Sequence, residues 1–170
     1  MILTRLKHEK GEFIEIPYNS TAKEKKWCEI YLECAKVISM GSHCVSKKVA
    51  ALIVKNNRII STGINGTAVG LQNCDEVFDE NHFEREKHHE WSRINELHAE
   101  ANAIASAASE GINVKDGVMY VTLSPCTDCC KLISAAKLSA ICFEELYDLD
   151  TDGLKALINA GIEIIKVKRS

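Results

Sequence analysis

The sequence lacks any apolar run that approaches the ~18 residues needed to span a bilayer. Its first residues, MILTRLKHEKGEF, are too charged for a secretory signal. Only two prolines occur in 170 residues, and no internal repeat or low-complexity stretch is present. Lysine and arginine are dispersed and the net charge is −3, so no basic field favours nucleic acid. We therefore expect a cytoplasmic protein that binds neither a membrane nor a nucleic acid.

The eight cysteines do not indicate a disulfide scaffold. A chain of this length can bury a core without covalent links, and thiols stay reduced in the cytoplasm. Most of these cysteines are expected to be small buried side chains. Two of them, Cys126 and Cys129, form a Cys-x-x-Cys pair that needs a separate explanation.

Hydrophobic periodicity predicts a single α/β domain covering residues 1–170. Apolar residues at helical spacing predict a helix over residues 22–40, and KVAALIVKNNRIISTGING predicts two short strands joined by a tight Asn-Asn turn. Helices then alternate with the strands GVMYVTL, SAICFEE and IEIIKV, which is typical of a partly parallel sheet. Residues 1–22 are expected to form a short extended or loosely held lead-in. Residues 66–95, which are polar and rich in His and Glu, are expected to form a long functional loop.

Cys126 and Cys129 follow Pro125 at the expected start of a helix. Side chains at positions i and i+3 share a helix face, and a helix N-terminus stabilises the thiolates that bind metal. His98, at the start of the preceding helix, supplies a third ligand. One His and two Cys leave the fourth tetrahedral position of zinc open, which is the pattern of catalytic rather than structural sites.

Glu100 lies two residues beyond His98. From there its carboxylate can approach the open position without binding the metal, and such a carboxylate can move protons to and from water. The combination H-x-E…P-C-x-x-C is the signature of zinc nucleobase deaminases. The Cys-x-x-Cys pair could instead be a redox centre of the thioredoxin type, but that interpretation leaves His98 and Glu100 unexplained.

Longer stretches resemble one family within the cytidine deaminase-like superfamily. These stretches, spread over residues 24–167, are KVAALIVKNNRIISTGINGT, HHEWSRINELHAEANAI, MYVTLSPCTDCCKLI, CFEELYD and NAGIEI. They resemble the deoxycytidylate (dCMP) deaminases, in particular the phage-encoded branch of T4-type and cyanophage enzymes. The resemblance implies a three-layer α/β/α fold with a central mixed sheet of five strands and helices on both faces.

The resemblance also implies a reaction and the residues that carry it. A member of this family would hydrolyse dCMP to dUMP and ammonia, which supplies dUMP for dTMP synthesis. The His and the two Cys named above would bind Zn²⁺, and the neighbouring Glu would shuttle protons. Three further residues would contact the substrate: the Asn65 side chain at the sugar, Tyr147 in the pocket near it, and the backbone carbonyl of Ser124 at the exocyclic amine.

Regulation is a further implication of the resemblance. The family implies a homo-hexamer that is controlled by nucleoside triphosphates, with dCTP as activator and dTTP as inhibitor, together with Mg²⁺. The stretch VGLQNCDEV resembles the effector-binding segment. Its candidate effector contacts are Asn73, Cys74 and Asp75.

Cys44, His88 and Glu96 match positions that bind a second, structural zinc in phage relatives. A thiol, an imidazole and a carboxylate make a sensible ligand set. A bound metal would also order the long polar loop, because metal binding contributes folding free energy. Three nearby imidazoles could complete the site: His43, His82 and His89. The alternative is a solvated polar loop with an incidental thiol.

The residues alone leave three other functions open. A deaminase of polynucleotides would carry clustered basic residues interleaved with aromatic ones, whereas the stretch DEVFDENHFERE is acidic. A deaminase of free nucleosides would need no phosphate-binding residues, for which the candidates in this sequence are Lys47, Lys48 and Arg93. A non-catalytic, zinc-stabilised interaction module would have a closed four-ligand site and an idle Glu100.

Overall fold

A computed structural model of the protein describes residues 1–147 and 149–169. The strands are β1 (Ile2–Glu9), β2 (Glu12–Pro17), β3 (Ala50–Lys55), β4 (Arg58–Ile64), β5 (Gly66–Thr67), β6 (Glu96–Leu97), β7 (Val118–Leu123), β8 (Ala140–Glu145) and β9 (Glu163–Lys168). The α-helices are α1 (Ala22–Ser39), α2 (Cys74–Val77), α3 (Arg85–Asn95), α4 (Ala99–Ser109), α5 (Thr127–Ala135) and α6 (Asp152–Asn159). A short 3-10 helix covers Glu80–His82.

The central sheet is mixed and has seven strands in the order β2-β1-β9-β8-β7-β3-β4. Strands β7, β8 and β9 are parallel to one another. The hairpin of β3 and β4 joins β7 in antiparallel fashion, and the hairpin of β1 and β2 joins β9 in the same way. The predicted mixed sheet is therefore confirmed, whereas the predicted number of five strands is wrong.

The two additional strands come from the segment that was expected to be a short extended or loosely held lead-in. Lys10 and Gly11 both have positive φ, as the two-residue turn of a tight hairpin requires. Leu3 and Leu6 are each 5% exposed and pack on opposite faces of the sheet. Because β1 pairs with both β2 and β9, its backbone is hydrogen-bonded along both edges. Residues 2–17 are thus extended, which was one of the two alternatives, and they are part of the sheet rather than loosely held.

Helices cover both faces of the sheet, because successive strand side chains alternate between the faces. One face packs against α4, α5 and α6 through side chains such as Ile53, Val121 and Phe143. The other face packs against α1 through Leu52 and Cys142. The structure therefore has three layers. The carboxyl ends of β7 and β8 lie at one edge of the middle layer, where ligand sites of α/β sheets are usually found.

Residues 66–95 are more regular than the expected loop. They contain β5, α2, the 3-10 helix and α3. Gly66 pairs with Leu97 and Thr67 pairs with Glu96, so the two ends of the segment meet in a small antiparallel ribbon. The start of the segment therefore lies beside Glu96 and Leu97, the two residues that precede His98. Hydrophobic periodicity missed these elements because they are short and mostly polar.

Within residues 1–147 and 149–169, no helix combines the length and the apolar character needed to cross a membrane.

Candidate active site and metal centres

His98 and the two cysteines of the Cys-x-x-Cys pair lie at the starts of two helices. His98 is the residue preceding α4, and Cys126 is the residue preceding α5; both have extended backbone dihedrals. Cys129 lies in the first turn of α5. The core packing of α4 and α5 against the same sheet face brings these helix starts together. The three side chains thus meet at one point, although 28 residues separate His98 from Cys126.

The geometry of this cluster fits zinc. Nδ1 of His98 lies 3.3 Å from Sγ of Cys126 and 3.5 Å from Sγ of Cys129. A tetrahedral zinc ion with ordinary Zn–S and Zn–N bonds separates its sulfur and nitrogen ligands by about 3.6 Å. His98 is exposed and Cys129 is buried, so the cluster faces solvent on one side. Three protein ligands leave a fourth position for water or a substrate.

The protonation of the three groups also suits a cation. Hydrogen bonds from Cys129 and His98 lower the pKa of the Cys126 thiol to about 4. The hydrogen bond with Cys126 raises the pKa of His98 to about 9, and the hydrogen bond with Cys126 together with burial raises the pKa of Cys129. The lowered pKa of Cys126 favours the thiolate form, which is the form that binds a metal ion. A divalent cation would displace the remaining protons from the imidazole and from the second thiol.

Glu100 lies in the first turn of α4, next to the cluster but outside the set of residues whose atoms converge. Its side chain is 4% exposed. Burial raises the pKa of its carboxyl to about 6, while hydrogen bonds with its own backbone N–H and with Cys129 act in the opposite direction. A buried carboxyl group beside an open metal position can accept and donate protons without exchange with bulk water.

A second cluster lies behind the β5–β6 ribbon. Sγ of Cys44 is 3.6 Å from Nε2 of His88 and 3.8 Å from Oε2 of Glu96. Cys74 completes the cluster, and one ligand atom from each of the four residues lies within 4.8 Å of the others. Oε1 of Glu96 is buried without a hydrogen-bond partner, so the site contains a carboxylate oxygen that a cation could bind. These donors form a set that fits zinc.

Cys74 was missed as a ligand by sequence reasoning, which grouped it with Asn73 and Asp75 as an effector contact. Its side chain is 1% exposed and faces the cluster. The neighbouring Asp75 instead pairs with His43, at 2.8 Å. In the structure it is Cys74, rather than one of the three imidazoles that could complete the set, that lies with Cys44, His88 and Glu96. The signal in the sequence was that Cys74 lies within the polar region of residues 66–95, which also contains His88.

Asn65 organises the loop that leads to this second cluster. Oδ1 of Asn65 accepts hydrogen bonds from the Ser42 hydroxyl and from the Val49 backbone N–H, both at 2.8 Å. Its Nδ2 donates to the backbone carbonyl of Lys47, also at 2.8 Å. Asn102 of α4 donates to the carbonyl of Ile64, the residue before Asn65. Asn65 therefore holds the loop of residues 42–49, and the neighbouring Ile64 is bonded to the helix that carries Glu100.

Ser124 and Tyr147 lie together at the carboxyl ends of β7 and β8. Ser124 is 3% exposed, and its backbone N–H donates to the carbonyl of Glu145 at 2.8 Å. Its hydroxyl accepts a hydrogen bond from the backbone N–H of Tyr147 at 2.7 Å. Both residues therefore lie at the same edge of the sheet as Cys126.

Comparison with known proteins agrees with this geometry. The sequence model of the family described as "Cytidine and deoxycytidylate deaminase zinc-binding region" matches residues 24–145. The chain belongs to this deaminase family. The deoxycytidylate deaminases of Enterobacteria phages T2 and T4 are 37% and 36% identical to this deaminase, over 81% of this chain and 90% and 88% of theirs.

A solved structure shares both the fold and the sequence pattern. The dCMP deaminase of the cyanophage S-TIM5, crystallised with dCMP and dUMP, superposes with a TM-score of 0.71 and is 31% identical. The match covers 88% of this deaminase and 100% of the cyanophage chain. This deaminase is therefore a phage-type member of its family. The region matched by the family model begins within α1, so the hairpin of β1 and β2 lies outside it.

Proposed function

We propose that this protein hydrolyses dCMP to dUMP and ammonia. The observation that carries the proposal is the buried Glu100 beside a cluster of one His and two Cys. These three ligands would leave the fourth position of a zinc ion open. The T2 and T4 relatives are deoxycytidylate deaminases, and the S-TIM5 relative was crystallised with dCMP and dUMP. Deamination consumes one water, and it replaces the exocyclic C4–N bond of cytosine with a C4–O bond.

His98, Cys126 and Cys129 would hold the metal. When bound, zinc supplies Lewis acidity that makes a water molecule a nucleophile at neutral pH. Glu100 accepts a proton from this water and delivers it to N3 of the ring, which makes C4 more electrophilic. After the C4–O bond has formed, Glu100 accepts the remaining proton from the new C4 hydroxyl and transfers it to the amine. The C4–N bond then breaks and ammonia leaves.

Three residues would position the nucleotide. The backbone carbonyl of Ser124 accepts a hydrogen bond from the exocyclic amine. Asn65 uses one amide hydrogen on Lys47, so its second amide hydrogen can donate to the sugar. Tyr147 lines the pocket near the sugar. This arrangement is supported by the position of Ser124 and Tyr147 beside the metal-binding turn.

A second zinc would bind to Cys44, Cys74, His88 and Glu96. Four protein ligands close the coordination sphere, which is the pattern of structural sites. Glu96 lies two residues before His98 in the sequence. A metal bound to Glu96 would therefore order the backbone that leads into His98. The buried Oε1 of Glu96, which lacks a hydrogen-bond partner, supports this proposal.

Regulation and assembly belong to the same proposal. The enzyme would act as a homo-hexamer in the cytoplasm of the host cell and would supply dUMP for dTMP synthesis. dCTP with Mg²⁺ would activate it and dTTP with Mg²⁺ would inhibit it. Asn73 and Asp75 remain the candidate effector contacts. Asp75 is exposed and Asn73 is partly exposed, which is compatible with binding a ligand from solvent.

The decisive experiment follows ammonia release from zinc-replete protein. The substrates are dCMP, CMP, deoxycytidine and cytosine-containing single-stranded DNA, each with and without dCTP and Mg²⁺. We expect turnover of dCMP, with higher activity when dCTP is present. Turnover confined to deoxycytidine or DNA would replace the proposal with a nucleoside or polynucleotide deaminase. Absence of turnover with every substrate would favour a non-catalytic zinc module.

A further inference from the structure

The segment that follows β8 is hydrogen-bonded to the turn that carries the metal ligands. The backbone N–H of Thr127 donates to Oδ2 of Asp150 at 2.7 Å, and the Thr127 hydroxyl donates to Oδ1 of the same carboxylate. The Thr127 hydroxyl oxygen also accepts a hydrogen bond from the backbone N–H of Gly153 at 3.0 Å. One side chain, located directly after the ligand Cys126, therefore contacts two positions of the following segment.

A chain of hydrogen bonds extends from Asp150 through Tyr147 to Ser124. The backbone N–H of Asp150 donates to the carbonyl of Tyr147 at 3.4 Å, and the N–H of Tyr147 donates to the Ser124 hydroxyl. The segment is thus attached at one end to the loop between β7 and α5 and at the other end to the first residue of α5. Ser124 holds the first end, and Thr127 holds the second.

Packing around Gly153 shows how close the two segments are. A Cβ built on Gly153 would come within 2.6 Å of Cα of Thr127 and within 2.9 Å of Sγ of Cys130. Cys130 is 1% exposed, which agrees with a packing role. The start of α6 therefore rests on the start of α5, and Thr127 lies in the contact.

We propose that Thr127, acting with Asp150, is a positioning residue for the substrate pocket. β7 and β8 are parallel neighbours, so their carboxyl ends face the same edge of the sheet. The metal-binding turn follows β7, and Tyr147 follows β8. Because Thr127 joins the two connections, it sets the distance between the metal-binding turn and the side of the pocket formed by Tyr147. This inference rests on the proposed deamination of dCMP.

The central variant is Thr127→Val, which keeps the shape of the side chain but removes its hydroxyl. We expect KM for dCMP to rise about tenfold, since a hydrogen bond to a charged group typically contributes about that factor. We expect kcat to stay within about twofold, because uniform binding is lost rather than stabilisation of the transition state. Zinc content, measured by mass spectrometry, should be unchanged, because Thr127 is not a ligand.

Two further variants test the role of the hydroxyl. Thr127→Ser keeps the hydroxyl and should restore the wild-type KM. Asp150→Asn keeps one acceptor oxygen and loses the other, so it should raise KM as Thr127→Val does. Thr21→Val is the matched control, because it makes the same chemical change at the N-cap of α1, where the Thr21 hydroxyl accepts from the Glu24 N–H. It should reduce stability without changing KM.

Measurements without turnover separate this inference from the proposed function. The Kd for dUMP, measured by calorimetry, should rise in Thr127→Val in parallel with KM, and hydrogen exchange at the amides of Tyr147 and Gly153 should become faster. An unchanged Kd and KM would overturn the positioning role. A loss of zinc together with kcat would overturn it as well, because Thr127 would then act on the metal site. Wild-type protein that fails to deaminate dCMP would refute the proposed function before any variant is compared.

Discussion

Gly63 of β4 lies so close to Ala103 of α4 that a Cβ built on Gly63 would come within 2.3 Å of the Ala103 backbone nitrogen. Ser61, two residues earlier, donates from its hydroxyl to the carbonyl of Ala103 at 2.7 Å. Ala99 and Ala103 are both fully buried on this face of α4. The small residues after His98 therefore let the helix that carries Glu100 approach the sheet closely.

We expect Gly63→Ala to lower the free energy of unfolding by about 3 kcal/mol, because backbone atoms of α4 would have to move to make room for the methyl group. Displacement of α4 should also lower zinc content, since His98 directly precedes this helix. Chemical denaturation and metal analysis measure both effects. Gly66→Ala is the control, because a Cβ there meets no atom within 4 Å. Wild-type stability of Gly63→Ala would contradict the close contact.

Replacement of Glu100 by Gln should separate metal binding from proton transfer. The side chain keeps its size in a site where Glu100 is 4% exposed. We expect zinc to remain bound and kcat for dCMP to fall by a factor of about 10²–10⁴, the usual contribution of a general acid and base. Glu110→Gln, at the exposed end of α4, should leave kcat unchanged. Full activity of Glu100→Gln would assign proton transfer to another group.

Replacement of Cys74 by Ser should remove one of two bound metals. The thiolate is a ligand of the proposed closed site, so zinc per chain should fall from about two to about one. Hydrogen exchange over residues 66–97 should increase, because metal binding contributes folding free energy. Cys34→Ser tests for a general effect of thiol loss, since Cys34 belongs to neither cluster. A ratio of one zinc in the wild-type protein would refute the second site.

The N-terminal hairpin should lose stability in acid through Glu15. Burial raises the pKa of the Glu15 carboxyl, but hydrogen bonds from Lys168, Lys166 and Thr4 outweigh burial and lower this pKa to about 2. A carboxyl group whose pKa is lowered on folding stabilises the protein fully at pH values above its ordinary pKa of about 4.5. This stabilisation is lost as the pH falls through the lowered pKa of about 2. We expect Glu15→Gln to cost about 1 kcal/mol at pH 7, a value reduced for solvent screening.

The stability difference between wild type and Glu15→Gln, measured by denaturation from pH 7 downwards, should shrink below about pH 4. Glu12→Gln, an exposed position on the same strand, supplies the comparison and should show no such trend. A difference that stays constant with pH would show that Glu15 acts through packing rather than through charge.

The cluster of one His and two Cys could be predicted because zinc chemistry restricts the ligands to few residue types. His98 and the Cys-x-x-Cys pair occupy helix starts, where the spacing i, i+3 places both sulfurs on one face. The tight turn after β3 was equally predictable, since Asn56 and Asn57 tolerate the positive φ that this turn requires. These features depend on neighbours in the sequence, and local rules describe them.

The β1–β2 edge of the sheet and the membership of Cys74 in the second cluster could not be predicted from local patterns in the sequence. β1 is stabilised by β9, near the other end of the sequence, and no local pattern identifies that partner. Cys74 was misplaced for a similar reason. The resemblance of its neighbours to an effector-binding segment made it a candidate effector contact, but its side chain is buried beside Cys44 and His88.

The sequence by itself determined the chemistry of this protein: which side chains can bind zinc, which carboxyl group can move protons, and which segments alternate between strand and helix. Only the tertiary structure decided which of these groups meet. Thr127 and Asp150 are separated by 23 residues, and their contact exists because β7 and β8 are parallel neighbours. Such contacts follow from the packing of distant segments into one core, which local spacing does not encode.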